Sequence, residues 1–300
     1  MMKQGTFEEH KIESWQDYQK RCEVLVPRPL DTLGAQTSSQ PIYPLDHHKC
    51  HWVFRGQAKD WDLTSTVERL SHRGFDSKST ETDALNEFKR KTARLLSVRP
   101  ESNNTLDWHA LMQHYGAPTR LIDWTYSAYV AAYFACRDYP EEDGVVYALN
   151  LSDLDHARAT MIKPGKVDLG REPDYSRYVM APRNVDCSIA TEVQIQDLAF
   201  RAEPTFESDR QSCQQGLFVT CAANPPRFQA ALSRMSETLN RVLLYKWHIP
   251  AVRKPEMMRS LHFANVYAMS LFPDLDGIGK MIVESMPWKG VRQIGRNQSI

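Results

Sequence analysis

The chain has no long hydrophobic run and no excess of charge of either sign. No apolar stretch approaches the roughly 18 residues that a membrane-spanning helix needs, and the N-terminal segment holds no apolar signal core. The 37 basic and 37 acidic residues cancel, which argues against strong nonspecific nucleic-acid binding. These absences predict a cytoplasmic protein that has no membrane partner.

Signatures of several enzyme classes and metal sites are also missing. The sequence contains no Gly-x-Ser-x-Gly elbow, no Walker loop, no His-Glu-x-x-His sequence and no Cys-x-x-Cys pair. Its six scattered cysteines predict reduced thiols instead of a disulfide framework. Cys50 lies near His47, His48 and His51, but this spacing is too crowded for the usual tetrahedral zinc pairings. We therefore expect no metal.

The composition and the pattern of elements predict the fold class. Apolar residues make up 42% of the 300 residues and charged residues 25%, as in ordinary soluble domains. Isolated short strands between helices predict an α+β fold, in which mixed short strands form a small sheet around a cleft, surrounded by helices. We expect three segments: an N-terminal helix and flexible loop (1–49), a central domain (50–222) and a helical and strand extension packed on the same core (223–300).

Hydrophobic periodicity predicts individual elements. The predicted helices are Ser14–Val24, Thr80–Ser97, Pro226–Asn240, a helix from Pro255 through Leu261, and Asp274–Glu284. The predicted strands are His51–Arg55, Val145–Leu151, Glu192–Ile195, Gly216–Cys221 and Val242–Trp247. Residues 27–49 have loop composition, and residues 156–190 are expected to be irregular.

The stretch 108–136 is the most informative part of the sequence. A helical pattern from Trp108 to Tyr115 ends at Gly116, and Pro118 prevents its continuation. A second helical run follows, with apolar residues from Val130 to Ala135 on one face. The connection between them, residues 119–125, concentrates polar, charged and aromatic side chains. Such a short connection between two apolar anchors is typical of a functional site.

Each residue of this cluster also has a structural interpretation. Arg120 and Asp123 would then form a buried ion pair that joins the two helices, and Trp124 would belong to the core. His114 and Tyr115 suit a general acid or base beside a stacking surface. Alternatively, His114 bonds a backbone carbonyl and Tyr115 packs under the loop. Both interpretations stay open.

Arg55 stands at the end of a predicted strand and precedes a glycine. An arginine in this position suits phosphate or carboxylate binding, and Gly56 would let a ligand approach the backbone. The alternative is a structural bridge from Arg55 to a carboxylate.

Four sequence blocks resemble the FRG domain family. They are Phe54-Arg55-Gly56-Gln57, the block Gln113 to Thr125, the Ala-rich helix after it, and Gln214-Gln215-Gly216-Leu217-Phe218. The family takes its name from the Phe-Arg-Gly tripeptide. The resemblance extends over the central segment, with a weaker echo at residues 271–277.

The order of these elements is similar to the layout of arginine-class ADP-ribosyltransferases. This resemblance implies that Arg55 holds the phosphates or ribose of NAD and that Thr119 or Thr125 braces the nicotinamide side. The glutamate that this layout places before a late strand is replaced here by Gln214 and Gln215. A neutral amide supplies no countercharge to the positive charge that develops as nicotinamide leaves. Another acid would have to supply it, and the candidates are Asp123, Glu192 and Glu284.

The sequence therefore predicts one polar cleft for a nucleotide-like ligand. The predicted ligand-binding residues are Arg55, Gly56, Gln57, Tyr115, Thr119, Arg120, Trp124, Thr125 and Gln214. The predicted catalytic residues are Asp123, His114 and Gln215. The predicted activity is NAD-dependent ADP-ribosyl transfer or NAD cleavage, with NAD as substrate, in an effector, toxin or defence role. The alternative function is a non-catalytic ligand- or protein-binding module. The sequence does not identify an acceptor.

Overall fold

A seven-stranded open sheet runs through the described part of the chain in the computed structural model, which covers residues 7–25, 52–75, 77–96, 99–161, 198–205, 208–222 and 226–286. The strands are β1 (Phe7–Lys11), β2 (Trp52–Gln57), β3 (Ile122–Thr125), β4 (Gly144–Asn150), β5 (Ala199–Ala202), β6 (Gly216–Cys221) and β7 (Leu244–Ile249). Their order across the sheet is β1-β7-β4-β2-β3-β6-β5. Within this sheet β1 and β7 pair in parallel, and the other neighbours pair antiparallel. The predicted α+β class is confirmed.

Helices surround this sheet. In the described residues they are α1 (Trp15–Leu25), α2 (Thr66–His72), α3 (Ser77–Thr92), α4 (Thr105–His114), α5 (Ala128–Cys136), α6 (Leu151–Met161), α7 (Asp209–Cys213), α8 (Phe228–Leu239), α9 (Lys254–Phe263), α10 (Ala268–Leu271) and α11 (Leu275–Ser285). None of these helices combines the length and the apolar character that crossing a membrane requires.

Two hydrophobic cores lie on opposite faces of the sheet. Successive side chains of a strand point to opposite faces, and β2 shows this directly. Val53 packs in one core with Leu154 of α6 and Leu232 of α8. Phe54 packs in the other with Ala131 of α5 and Met257 of α9. Helices therefore cover both faces of the central strands.

Helix α5 approaches the sheet closely because two strand positions are glycine. A Cβ atom at Gly56 of β2 would overlap the carbonyl oxygen of Ala131, and one at Gly144 of β4 would overlap that of Ala135. The small alanines of α5 complete the fit, because a larger residue would hold the helix away from the strands. This contact fixes α5 beside the end of β2.

Lys254 ties the C-terminal end of α5 to the loop after β2. Its Nζ is fully buried and donates to the carbonyl oxygens of Ala58 (2.8 Å), Asp138 (3.0 Å) and Tyr139 (2.9 Å). Burial lowers the pKa of this ammonium group. All three of its protons are used, so the side chain is a structural clamp.

Most of the elements predicted from periodicity are present with shifted ends. Helices α1, α3, α8, α9 and α11 and strands β2, β4, β6 and β7 correspond to predicted elements. The helix before Gly116 ends as predicted, and this glycine has a φ of +79°. The predicted thiols are free at Cys22, Cys136, Cys213 and Cys221.

Two local predictions are wrong. The connection predicted at residues 119–125 contains strand β3, which pairs with β2 on one side and β6 on the other. Four residues are too few for periodicity to reveal a strand. Residues 156–161, predicted to be irregular, belong to α6, and strands β1 and β5 were not predicted.

Other predictions fall outside the described residues. These are the loop at 27–49, the irregular segment from 162 to 190, the strand Glu192–Ile195, and the histidines next to Cys50. The sheet contains strands from all three predicted segments: β1 from 1–49, β2 to β6 from 50–222, and β7 from 223–300. The bounds of those segments stay a prediction.

Candidate functional site

A cleft of about 320 Å³ opens where β2 and β3 diverge. These two strands share one residue pair, Phe54 with Thr125, whereas β2 pairs with β4 along its whole length. Residues from β2, β3, β6 and helices α4, α5 and α7 line the cleft. Its volume is at the low end of the roughly 300–1,000 Å³ of small-molecule pockets.

Arg55 bridges the gap between the diverging strands. Its Nη1 donates to the backbone carbonyl of Asp123 at 2.7 Å and lies 3.8 Å from Oδ2 of the same residue. The side chain thus supplies the hydrogen bond that a paired strand would give to this carbonyl. Burial lowers the pKa of Arg55, while the nearby Asp123 charge opposes this effect. A guanidinium remains charged in proteins in spite of such a shift.

Part of the Arg55 guanidinium is left without a protein partner. Its Nε is buried and has no hydrogen-bond partner, and within the described residues only Nη1 makes a hydrogen bond. A buried donor without a partner is uncommon in folded proteins and requires an explanation. Arg55 is therefore a structural bridge, and the donor it has left for the cleft that it lines is Nη2, which makes no hydrogen bond to a described residue.

A polar relay holds Asp123 from the other side. The hydroxyl of Thr119 donates to Oε1 of Gln113, which directs the amide nitrogen of Gln113 to Oδ1 of Asp123 at 2.8 Å. The Asp123 side chain is 66% exposed. Within the described residues it is the one carboxylate that lines the cleft.

His114 and Tyr115 differ in position. His114, the last residue of α4, is exposed and lines the cleft. The Tyr115 ring meets the His114 ring edge-on at 5.0 Å, is 64% exposed and lies outside the lining. The structure therefore places the predicted acid or base in the cleft and the predicted stacking residue outside it.

The two glutamines before β6 also separate. Gln214 lines the cleft, and its Nε2 donates to the carbonyl of Leu271 at 3.1 Å. Gln215 has a left-handed backbone, with a φ of +47°, and its exposed side chain does not line the cleft. The prediction that Gln215 lines the site is wrong, because this residue forms the turn into β6.

Arg120 is a structural residue, contrary to its prediction as a ligand-binding one. It is 2% exposed and lies outside the cleft lining. Its Nε lies 3.0 Å and 2.9 Å from the two carboxylate oxygens of Glu81 in α3, and its Nη1 donates to the carbonyl of Cys221 at 3.4 Å. The predicted alternative of a buried ion pair holds for Arg120, but the partner is Glu81 and not Asp123.

The two predicted threonines are used by the protein itself. Thr119 is buried outside the lining and contributes only through the relay to Asp123. Thr125 lines the cleft, but its hydroxyl donates to the Gln214 carbonyl at 2.7 Å and accepts from the Ser127 amide at 3.0 Å. Neither hydroxyl is open to a ligand in this arrangement.

Trp124 and Gln57 are both buried side chains. Trp124 lines the cleft, yet it is 2% exposed and packs in the core beneath the sheet with Phe228. Gln57 is also buried and does not line the cleft. The structure thus places Gln57 outside the cleft, and its predicted role as a ligand-binding residue stays a prediction.

Gly56 lines the cleft, and its lack of a side chain is required by the packing of α5. The close backbone approach at this residue is made by α5, whose Ala131 carbonyl fills the space of a Cβ atom. The glycine therefore admits a helix, and the expectation that it also lets a ligand approach the backbone stays a prediction.

Two important lining residues were missed by sequence reasoning. Gln113 belongs to the central block but was not selected as a site residue. Arg210 of α7 lies far from that block, and its guanidinium stacks 4.6 Å from the ring centroid of Phe272. No local pattern could indicate Arg210, because Phe272 is distant in the sequence.

Of the other two predicted acids, Glu284 does not line the cleft. Glu284 accepts hydrogen bonds from the Tyr133 hydroxyl and the Ala268 amide, and Glu192 lies outside the described residues. Among the described residues no three side chains of metal-binding type gather at one place.

Residues 50–144 match the family model of the FRG domain. The predicted FRG resemblance is confirmed over this range, which includes Arg55, Gln113 and Asp123. Neither a curated protein nor a solved structure matches the chain. The similarity to the layout of ADP-ribosyltransferases therefore rests on sequence features alone. The residues of α7 and β6 that line the cleft lie outside the matched range.

Proposed function

We propose that the cleft binds a phosphate-bearing, nucleotide-like ligand and that Arg55 is its anion-binding residue. The observation that carries this proposal is the unpartnered part of the Arg55 guanidinium at the fork of β2 and β3. A guanidinium offers donors in a planar fork that matches a phosphate oxygen pair. Because Nη1 is anchored on β3, the guanidinium is held in place before a ligand arrives, and Nη2 is the donor without a hydrogen bond to a described residue.

The floor of the cleft supports a ligand with a flat apolar part. Phe54, Phe134 and Phe218 line it, together with Val130 and Leu217. Aromatic side chains of this kind bind ring systems by offset or edge-on contact. A nucleotide would place its phosphate at Arg55 and its base over these aromatic and aliphatic side chains, and so would contact both the charged and the apolar part of the lining.

NAD cleavage or ADP-ribosyl transfer is the catalytic form of this proposal. Its support is the position of Asp123, a carboxylate beside the anion-binding arginine and held by Gln113. A fixed negative charge there would stabilise the cation that forms as nicotinamide leaves. The non-catalytic alternative is favoured by Gln214, which lines the cleft where the transferase layout has an acid.

The test compares Arg55→Lys with the wild type. Lysine keeps the charge but loses the fork, so NAD affinity is expected to fall at least about 10-fold. The hydrogen bond to the Asp123 carbonyl is weakened too, which is expected to cost about 1 kcal/mol of stability. Isothermal titration with NAD measures the affinity, and urea denaturation measures the stability. Nicotinamide release shows whether bound NAD is cleaved.

Arg241→Lys is the matched control, because Arg241 is exposed and also pairs with an aspartate, Asp153, at 3.2 Å. It is expected to leave NAD binding unchanged. Binding by the wild type without nicotinamide release would support the non-catalytic form. Wild-type affinity in Arg55→Lys, or no binding of NAD, AMP or ADP by the wild type, would refute the proposal.

A further inference from the structure

A second arginine faces the cleft from the other side of β3. Arg55 reaches it from β2, and Arg210 reaches it from α7, which leads into β6. Because β3 lies between β2 and β6 in the sheet, the two arginines come from elements on opposite sides of β3. The cleft therefore has two cationic walls and one lining carboxylate, Asp123, among the described residues.

Arg210 is one of three cations around the buried ring of Phe272. Arg137, Arg210 and Lys280 lie 5.6 Å, 4.6 Å and 4.5 Å from its centroid. Such contacts orient a cation over the ring without using its hydrogen-bond donors. The ring thus holds the Arg210 guanidinium in place and leaves its N–H groups available.

The other two cations of this group have carboxylate partners. Arg137 pairs with Asp138 at 3.1 Å, and Lys280 pairs with Asp276. Asp276 has a lowered pKa, first because of Lys280 and more weakly because of Arg210. Within the described residues no carboxylate lies within ion-pair distance of Arg210. Arg210 is therefore the one of the three cations that has no ion pair with a described carboxylate.

We infer that Arg210 forms a second anion subsite, so that the ligand carries two anionic groups, as a nucleoside diphosphate or a dinucleotide does. This inference rests on the proposed function, since it assumes that the first anionic group binds at Arg55. An arginine that lines a cleft and has no ion-pair partner among the described residues has its N–H donors left for an anionic ligand. A nucleoside monophosphate would leave one of the two arginines unmatched.

The experiment is isothermal titration of AMP and ADP into the wild type, Arg210→Gln and Arg137→Gln. The wild type is expected to bind ADP at least about 10-fold more tightly than AMP, as one additional charge-assisted contact would give. Arg210→Gln is expected to lower ADP affinity to that of AMP and leave AMP affinity unchanged. Arg137→Gln is the control, because Arg137 stacks on the same ring but has a partner and does not line the cleft.

The possible results separate this inference from the proposed function. Equal binding of AMP and ADP by the wild type would refute the second subsite and leave the first standing. Equal weakening of both nucleotides in Arg210→Gln would also refute it. Failure of the wild type to bind AMP, ADP or NAD would refute both proposals. Arg210→Lys, which keeps the charge, is expected to retain part of the ADP preference and provides a second variant if Arg210→Gln does not fold.

Discussion

At the scale of single residues, different contacts hold the backbone and the carboxylate of Asp123. Its backbone is fixed by β3 and by the Arg55 hydrogen bond to its carbonyl. Its carboxylate is oriented by Gln113, whose own amide is oriented by Thr119. A substitution that removes the charge and keeps the acceptor oxygen therefore tests the charge alone.

Asp123→Asn is expected to retain NAD binding and to lower nicotinamide release at least about 100-fold, because the amide provides no countercharge to the developing cation. NAD-induced thermal shift and single-turnover nicotinamide release measure the two effects. Glu142→Gln, at an exposed carboxylate paired with Lys59, is the control. Undiminished turnover in folded Asp123→Asn would remove Asp123 from the mechanism.

At the scale of elements, the contact of α5 with β2 positions the cleft. Helix α5 contributes Val130 and Phe134 to the lining, and β2 contributes Arg55. The separation of the two elements is set by Gly56, where backbone meets backbone. Cores tolerate little added volume at such a contact, because the neighbouring backbone cannot rotate away as a side chain can.

Gly56→Ala is therefore expected to lower the free energy of unfolding by about 3 kcal/mol or more. Gly279→Ala is the matched control, since a Cβ atom there meets no neighbour and the residue lies inside α11. That control is expected to be neutral or to stabilise by up to about 1 kcal/mol. Urea denaturation compares them, and equal stability of the two variants would show that α5 can shift without cost.

At the scale of the whole molecule, a cluster of three buried polar side chains, Glu81, His109 and Arg120, brings together α3, α4 and the segment before β3. Glu81 of α3 pairs with Arg120, and both influence the pKa of His109 in α4. Burial lowers the pKa of His109 to about 4, while Glu81 opposes this effect. The imidazole is therefore neutral in the folded protein above about pH 4.

This burial makes stability depend on pH. Between the unfolded pKa near 6.5 and the folded value near 4, the unfolded chain binds a proton that the native state does not. The contribution of His109 is therefore fully present above pH 6.5 and is lost as the pH falls to 4, by about 3 kcal/mol. His109→Gln cannot titrate, so its stability is expected to fall less steeply over this range. Parallel urea-denaturation curves for the two proteins would contradict the prediction.

The elements near the site could be predicted where their signals are local. Spacing within a few residues is enough to predict three of these elements. They are α4, which ends just before Gly116, the strand that carries Arg55, and the Ala-rich helix α5. The matched FRG range includes all three. Asp123 was selected because charged and aromatic residues cluster on one short segment, and it does line the cleft.

Only the tertiary structure decided which side chains are available to a ligand. Arg120 and Arg55 both belong to the sequence blocks that resemble the FRG family. Arg120 is paired with Glu81 in the interior, whereas Arg55 lines the cleft and bonds the protein only through Nη1. Arg210 reaches the site through its contact with Phe272. The sequence by itself determined local backbone structure, because helices, turns and strands depend on near neighbours. Burial and charge pairing depend on residues far apart in the chain, and these were fixed only when the sheet and its helices came together.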